Sequence, residues 1–359
     1  MPAIDYYFDI LLDKGGSDLH LSVGHPPTIR LKGELVAVEE GPLDEIKIKH
    51  LMDELLDADQ NEYFHAYRDL DFAYGYEDKA RFRANYLYKT TGPGAVFRTI
   101  PSDILTVQQL GLPRAVVELA ERTAGLVLVT GPTGSGKSTT LAAMLDHINR
   151  TREAHILTIE DPVEFVHRPR KCQISHREVG VHTPSFADAI RSAGRENADV
   201  ILVGELRGRE TMKMALQLAS FGILIFATVH TNSAPATIDR FVNAFPASQQ
   251  PQIRGMLADS LAGIVAQQLL RKADGSGRVA AQEILIGTTG VASAIREGKT
   301  TMLQSLIQSG GGQGMQSIDA VLSGLVSQGV VTPQDALEKA ADKDSFARIP
   351  KVAAALKAG

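Results

Sequence analysis

The sequence predicts an α/β protein in three stretches: a small α+β domain over residues 1–100, a linker at 101–113, and a parallel-sheet domain over 114–359 with a helical C-terminal part. Three observations carry that expectation. Polar and apolar residues alternate through much of the first hundred positions, as half-buried strands require. Beyond the linker, short runs rich in branched residues recur between helical segments, the pattern of strands covered on both faces. One of those runs passes directly into a glycine-rich loop and then into a helix.

The chain has 359 residues, enough for two packed cores, with 44% hydrophobic and 22% charged residues, as in ordinary globular proteins. Its net charge of -5 leaves no global positive field of the kind that draws proteins onto nucleic acid. Cys172 is the only cysteine, which excludes an internal disulfide and a four-cysteine zinc module. The first residues carry acids inside an apolar stretch and no basic segment, so they do not read as a secretory leader. No apolar run approaches the ~20 residues of a membrane span, and a cytoplasmic location is expected.

In the first domain, residues 18–22 alternate as a strand, and 29–38 read as a hairpin turning at Lys32, Gly33 and Glu34. Ile48, Leu51, Met52 and Leu55 then form the stripe of an amphipathic helix. A second hairpin alternates through Phe72, Tyr74 and Tyr76, turns near Glu77 and Asp78, and alternates again through Phe82, Ala84, Tyr86 and Tyr88. On that strand Arg81 and Arg83 face away from the aromatics; two such arginines are commonly just a solvated surface. Pro101, Gly111 and Pro113 mark the linker.

In the second domain, strands are expected at 126–130, 155–159, 200–203 and 223–229. From about 250 onward the chain reads as mainly helical, with one strand-like run at 278–286, a glycine-rich break from Gly310 and a weakly patterned tail after 342. Gly131, Pro132, Thr133, Gly134, Ser135, Gly136, Lys137 and Ser138 complete a GxxxxGK[ST] loop, followed by Thr139 and a helix whose stripe is Leu141, Met144, Leu145 and Ile148. Glycines let successive N–H groups turn inward around phosphate oxygens, and the helix N-terminus adds partial positive charge. Lys137 would neutralise the β- and γ-phosphates of ATP and the Ser138 hydroxyl would ligate Mg²⁺. Two strands end in acids that suit metal and water: Glu205 after 200–203, and the group Glu160, Asp161 and Glu164 after 155–159. Acids at strand ends also cap helices, and both roles stay open for them. A third strand ends near His230, placed to sense a γ-phosphate.

Taken together, these stretches resemble the secretion ATPases, and within them the PilT-type ATPases that retract type IV pili. The matching segments are SDLHLS at 17–22, ARFR at 80–83, GAVFRTIP at 94–101, the loop itself, and ILTIEDPVEFVH at 156–167. They continue as VILVGELR at 200–207, ATVHTNSA at 227–234, IDRFVNAFP at 238–246 and GRVAAQEILIG at 277–287. The resemblance implies a PAS-like N-terminal domain, a RecA-like ATPase domain and a homo-hexameric ring. It implies Glu164 as general base, Glu205 as support for Mg²⁺ and His230 as a His-box residue. Arg81, Arg83 and Arg98 match arginines that the family brings to the phosphates, where a bidentate guanidinium suits better than lysine. It also implies work at the inner membrane through a pilus platform protein, with a paralogous pilus ATPase as a second partner.

The chain departs from the family at the His box, where Ser220, Phe221, Gly222 and Ile223 precede His230 and a polar histidine has become Ile223. Loss of that group is expected to weaken the coupling of phosphate state to motion. Gly208 replaces a common aspartate, and Ala292 replaces an arginine of the C-terminal retraction motif. These changes keep open an alternative, a slowly hydrolysing paralogue that adjusts the principal motor. A nucleic-acid translocase is the remaining alternative, disfavoured by the acidic balance.

Overall fold

The computed structural model describes residues 2–31, 33–77, 79–100, 104–350 and 352–354. Lys32 and Asp78, assigned to turns above, Pro101 of the linker and the last five positions of the tail lie outside the described residues. The chain divides into two compact units, Met1–Asp103 with Glu164–Val166, and Ile104–Val163 with His167–Gly359.

The first unit runs α1 (Asp5–Asp13), β1 (Asp18–Ser22), β2 (Thr28–Leu31), β3 (Glu34–Ala37), α2 (Glu45–Asp53), α3 (Ala58–Tyr67), β4 (Asp69–Tyr76), β5 (Ala80–Lys89) and β6 (Gly92–Ile100). Its strands pair antiparallel in the order β3-β2-β1-β6-β5-β4. Both expected hairpins form. Period-two alternation on β5 buries Phe82, Ala84 and Tyr86 and sends Arg81 and Arg83 to the other face. The apolar face packs on Phe8 and Leu11 of α1, Ile48, Leu51 and Met52 of α2, and Phe64 of α3. Phe8 stacks on Phe82 with centroids 4.2 Å apart, so α1 supplies the centre of this core. Side-chain caps fix the other helix starts: Asp44 accepts from Lys47 N, and Asp57 forms a reciprocal capping box with Gln60.

The second unit runs α4 (Arg114–Ala120), β7 (Gly125–Thr130), α5 (Lys137–Thr151), β8 (His155–Glu160), β9 (Gln173–Glu178), α6 (Phe186–Ala193), β10 (Val200–Val203), α7 (Arg209–Ser220) and β11 (Leu224–Val229). It continues through α8 (Ala234–Asn243), α9 (Gln250–Ser260), β12 (Leu261–Arg271), β13 (Arg278–Ile286), α10 (Thr289–Arg296), α11 (Met302–Ser309), α12 (Ile318–Ser327), α13 (Pro333–Lys339) and α14 (Lys343–Arg348). The sheet order is β13-β12-β7-β11-β10-β8-β9, parallel throughout except for β13. Val127 and Val129 pack on α4 and α5, while Leu126 and Leu128 pack on the layer formed by α6 to α11. Burial on both faces explains why β7, β10 and β11 read as near-continuous apolar runs. The last three helices form a separate cluster around Leu270 and Ala281, on the outer ends of β12 and β13.

One expectation is corrected here. The region after 250 is not helix with a single strand: β12 is an eleven-residue strand between β7 and β13. A doubly buried strand has no period of two, and such a run cannot be told from a buried helix by pattern alone. What decides it is the open edge of β7, which only an extended segment can pair.

Candidate functional site

The loop at 131–138 leaves the carboxyl end of β7, and its shape depends on glycine. Gly131 has φ 146°, and a Cβ there would lie 2.2 Å from the Gln267 carbonyl oxygen. Gly136 has φ 83° as it enters α5, and a Cβ there would lie 2.9 Å from Gln267 Nε2. Both positions are closed to any other side chain by conformation and by space. Lys137 is buried and its Nζ donates to Gly131 O at 3.0 Å and Pro132 O at 3.1 Å, folding the ammonium over its own loop. The Ser135 hydroxyl is buried without a hydrogen-bond partner among the described residues. A cradle that excludes side chains, carries an orphaned donor and opens onto the N-terminus of a fifteen-residue helix fits a polyphosphate.

Parallel pairing brings the ends of four neighbouring strands to this same edge: β7 before the loop, β11 before His230, β10 before Glu205 and β8 before Asp161. Thr228 donates its hydroxyl to Gly204 O, and Leu206 N donates to Thr228 O at 3.1 Å, which ties the Glu205 turn to the neighbouring strand. Glu205 Oε2 lies 2.8 Å from Arg207 Nη2, and Oε1 lies 3.4 Å from His230 Nε2. Burial pushes the Glu205 carboxyl up, but the Arg207 hydrogen bond and charge, with His230, outweigh it and hold it below the ordinary glutamate value. Glu205 and His230, predicted separately from sequence, are thus in contact.

Glu164 is exposed and follows Val163, whose N–H donates to Glu178 Oε2 at 3.0 Å. Glu178 ends β9 and is buried, so a carboxylate that sequence reading passed over fixes the backbone beside the proposed base. Gln267, against the loop, was passed over as well; its strand was not recognised. Glu178, an acid that closes its strand, carries a signal that could have found it; Gln267 lies inside its strand and carries none.

Arg83 and Arg98 are direct cross-strand partners on the polar sheet face of the first unit, with Arg81 on the same face. Arg98 Nε donates to Asp18 Oδ1 at 2.9 Å, and Arg83 Nη2 lies 3.7 Å from Asp71 Oδ2. Burial raises the Asp18 carboxyl, while the Ser17 hydroxyl and Arg98 bring it below its ordinary range.

Ile223 requires a correction. It was expected to replace a phosphate sensor, but its carbonyl accepts from Gly125 N, at the start of β7. It therefore stands at the amino edge of the sheet, about 20 Å from the loop at ~3.3 Å per residue of β11. A histidine restored there could not reach a phosphate held by the same chain's loop.

The chain matches the family model for type II/IV secretion system protein over residues 70–321. It is 47% identical over 333 residues to the type IV pilus retraction ATPase PilT of Pseudomonas aeruginosa, covering 93% of this chain and 96% of that one. It is 45% identical over 320 residues to a twitching motility protein of Neisseria gonorrhoeae, covering 89% and 86%. To the type IV pilus ATPase PilU of Pseudomonas aeruginosa it is 38% identical over 331 residues, covering 92% and 87%. Among solved structures, the pilus retraction motor PilT with bound ADP superposes with a TM-score of 0.90 at 41% identity, covering 97% of this chain and all of that one.

Proposed function

The chain belongs to the type II/IV secretion system protein family, and from that premise we propose that it is an ATP-hydrolysing motor that drives type IV pilus retraction. The observation that carries this reading is the complete phosphate loop at the carboxyl edge of the parallel sheet, in a chain 47% identical to a retraction ATPase along 93% of its length. Identity to that protein exceeds the 38% to the PilU ATPase, which favours the motor over the modulating paralogue.

In the proposed mechanism, N–H groups of Gly134, Ser135, Gly136 and Lys137 bind the phosphates, and Lys137 leaves its loop carbonyls to neutralise them. Ser138 and Glu205 would hold Mg²⁺, which would supply charge neutralisation to the triphosphate. Glu164 takes the proton of the attacking water, and His230, in contact with Glu205, reports the γ-phosphate. Arg81, Arg83 and Arg98 are assigned to the phosphates by match to the family motifs. We assign the same three stretches, 1–100, 101–113 and 114–359, as PAS-like domain, linker and RecA-like domain. The working form is a homo-hexamer engaging an inner-membrane platform protein from the cytoplasm; no helix among the described residues is long and apolar enough to cross the membrane itself.

Steady-state hydrolysis by the purified chain, measured with its native mass, tests the reading. Magnesium-dependent turnover from an assembly of about six chains is expected; a monomer, or binding without turnover, would count against it. The Glu205 contacts add a pH test. Removing Arg207 takes away a positive charge, so Arg207→Ala raises the Glu205 pKa and moves the acid limb of the activity profile to higher pH. The depressed carboxyl also stabilises the fold above the ordinary glutamate range, and that contribution is lost as pH falls through the depressed value. An acid limb that stays in place in Arg207→Ala would exclude Glu205 as the titrating group.

A further inference from the structure

We propose that Gln267 is a positioning residue of the phosphate loop, braced by Gln282, and that it sets the direction of the Gly136 N–H. The proposal rests on the reading of 131–138 as the nucleotide site and adds a residue on a strand outside every motif of that site.

Gln267 touches the loop at three places. Its backbone oxygen occupies the space a Gly131 Cβ would fill, its Nε2 lies where a Gly136 Cβ would come within 2.9 Å, and that same Nε2 donates to Ser135 O at 2.6 Å. The last contact has a geometric consequence. In a planar trans peptide, C=O and N–H point in opposite directions. Drawing the Ser135 carbonyl toward Gln267 therefore turns the Gly136 N–H away from it. A loop binds phosphate through the convergence of such N–H groups, and one flipped peptide replaces a donor with a repelling carbonyl.

The carboxamide cannot easily turn over. Its Oε1 accepts from Thr140 Oγ1 at 2.8 Å, in the first turn of α5, and from Gln282 Nε2 at 2.7 Å. Rotation by half a turn would set amide against the Gln282 amide and oxygen against the Ser135 carbonyl, losing two hydrogen bonds in a site where Gln267, Gln282 and Thr140 are each 2% exposed. Gln282 is held in turn: its carbonyl accepts from Gln316 Nε2 at 2.7 Å, and the Gln316 backbone pairs both ways with Ile284. The brace thus runs from the loop, across β12 and β13, to Gln316, two residues before α12.

Calorimetric titration of the full chain with ADP and Mg²⁺, and steady-state ATP hydrolysis, test the proposal with Gln267→Met, Gln282→Met and the double variant. Loss of one buried donor to the loop is worth roughly tenfold in binding. ADP affinity should fall about tenfold in Gln267→Met and about threefold in Gln282→Met. Because Gln282 acts through Gln267, the double variant should match Gln267→Met and show no further loss. KM for ATP should rise while kcat at saturation stays within about threefold, since the Gly136 N–H serves ground and transition states alike. Unchanged ADP affinity in Gln267→Met, or additive losses in the double variant, would overturn the brace. If Gln267→Met does not fold, unchanged affinity in Gln282→Met overturns it alone. Should the unmodified chain itself take up no ADP, the nucleotide reading fails, an outcome distinct from failure of the brace.

Discussion

Lys137→Ala is expected to abolish ATP turnover and to weaken nucleotide binding by at least about a hundredfold. Charge-assisted hydrogen bonds are worth ~1.5–3 kcal/mol each, and a lysine spanning two phosphates supplies more than one. The ammonium rests against the carbonyls of Gly131 and Pro132, so the charge is already held at the loop before nucleotide binds. Neighbouring N–H groups carry only partial charge and cannot compensate for its loss. Titration with ADP and an assay of phosphate release read the effect. A variant that binds within tenfold of the parent would remove the loop from the mechanism.

Glu164→Gln is expected to keep ATP binding and to lower kcat by about 10²–10⁴, the usual contribution of a positioned general base. The substitution preserves size and leaves the hydrogen bond from Val163 N to Glu178 untouched, so the segment keeps its path. The group that takes the proton is lost. Bound ATP should therefore accumulate in single-turnover experiments. Hydrolysis at the parental rate would mean that another group handles the water, with the neighbouring acids on the β8 edge next to be tested.

Much of this was legible in the residues because local chemistry and fold agree there. The hairpins of the first unit alternate in step with their pleat, and the 131–138 loop carries its glycines where the backbone has positive φ at 131, 134 and 136. Other parts depend on partners distant in sequence. Helix α1 repeats Tyr7, Phe8 and Leu11 on one face, yet its acids at 5, 9 and 13 suggested only that it is no leader. Strand β9, with the polar sequence QISHRE, is an edge strand whose assignment rests on its parallel pairing with β8. Strand β12 owes its conformation to β7.

The site divides the same way. Lys137, Ser138 and Glu205 follow from strand–loop–helix and strand–acid patterns. Gln267 and Glu178 act from strands whose sequences carry no motif, through contacts across 132 and 15 positions of chain. Ile223 was misplaced for a related reason: a motif aligned along the sequence gives no account of strand direction, and six residues of extended chain separate the two ends of the sheet.

The most direct test is a structure of the full chain with Mg²⁺ and a non-hydrolysable ATP analogue. The β-phosphate should lie within hydrogen-bond distance of the N–H groups at 134–137, with Lys137 Nζ moved from Gly131 and Pro132 onto the phosphates and Glu205 facing the metal. Triphosphate bound elsewhere, or a loop that stays closed on Lys137 at saturating analogue, would contradict the account.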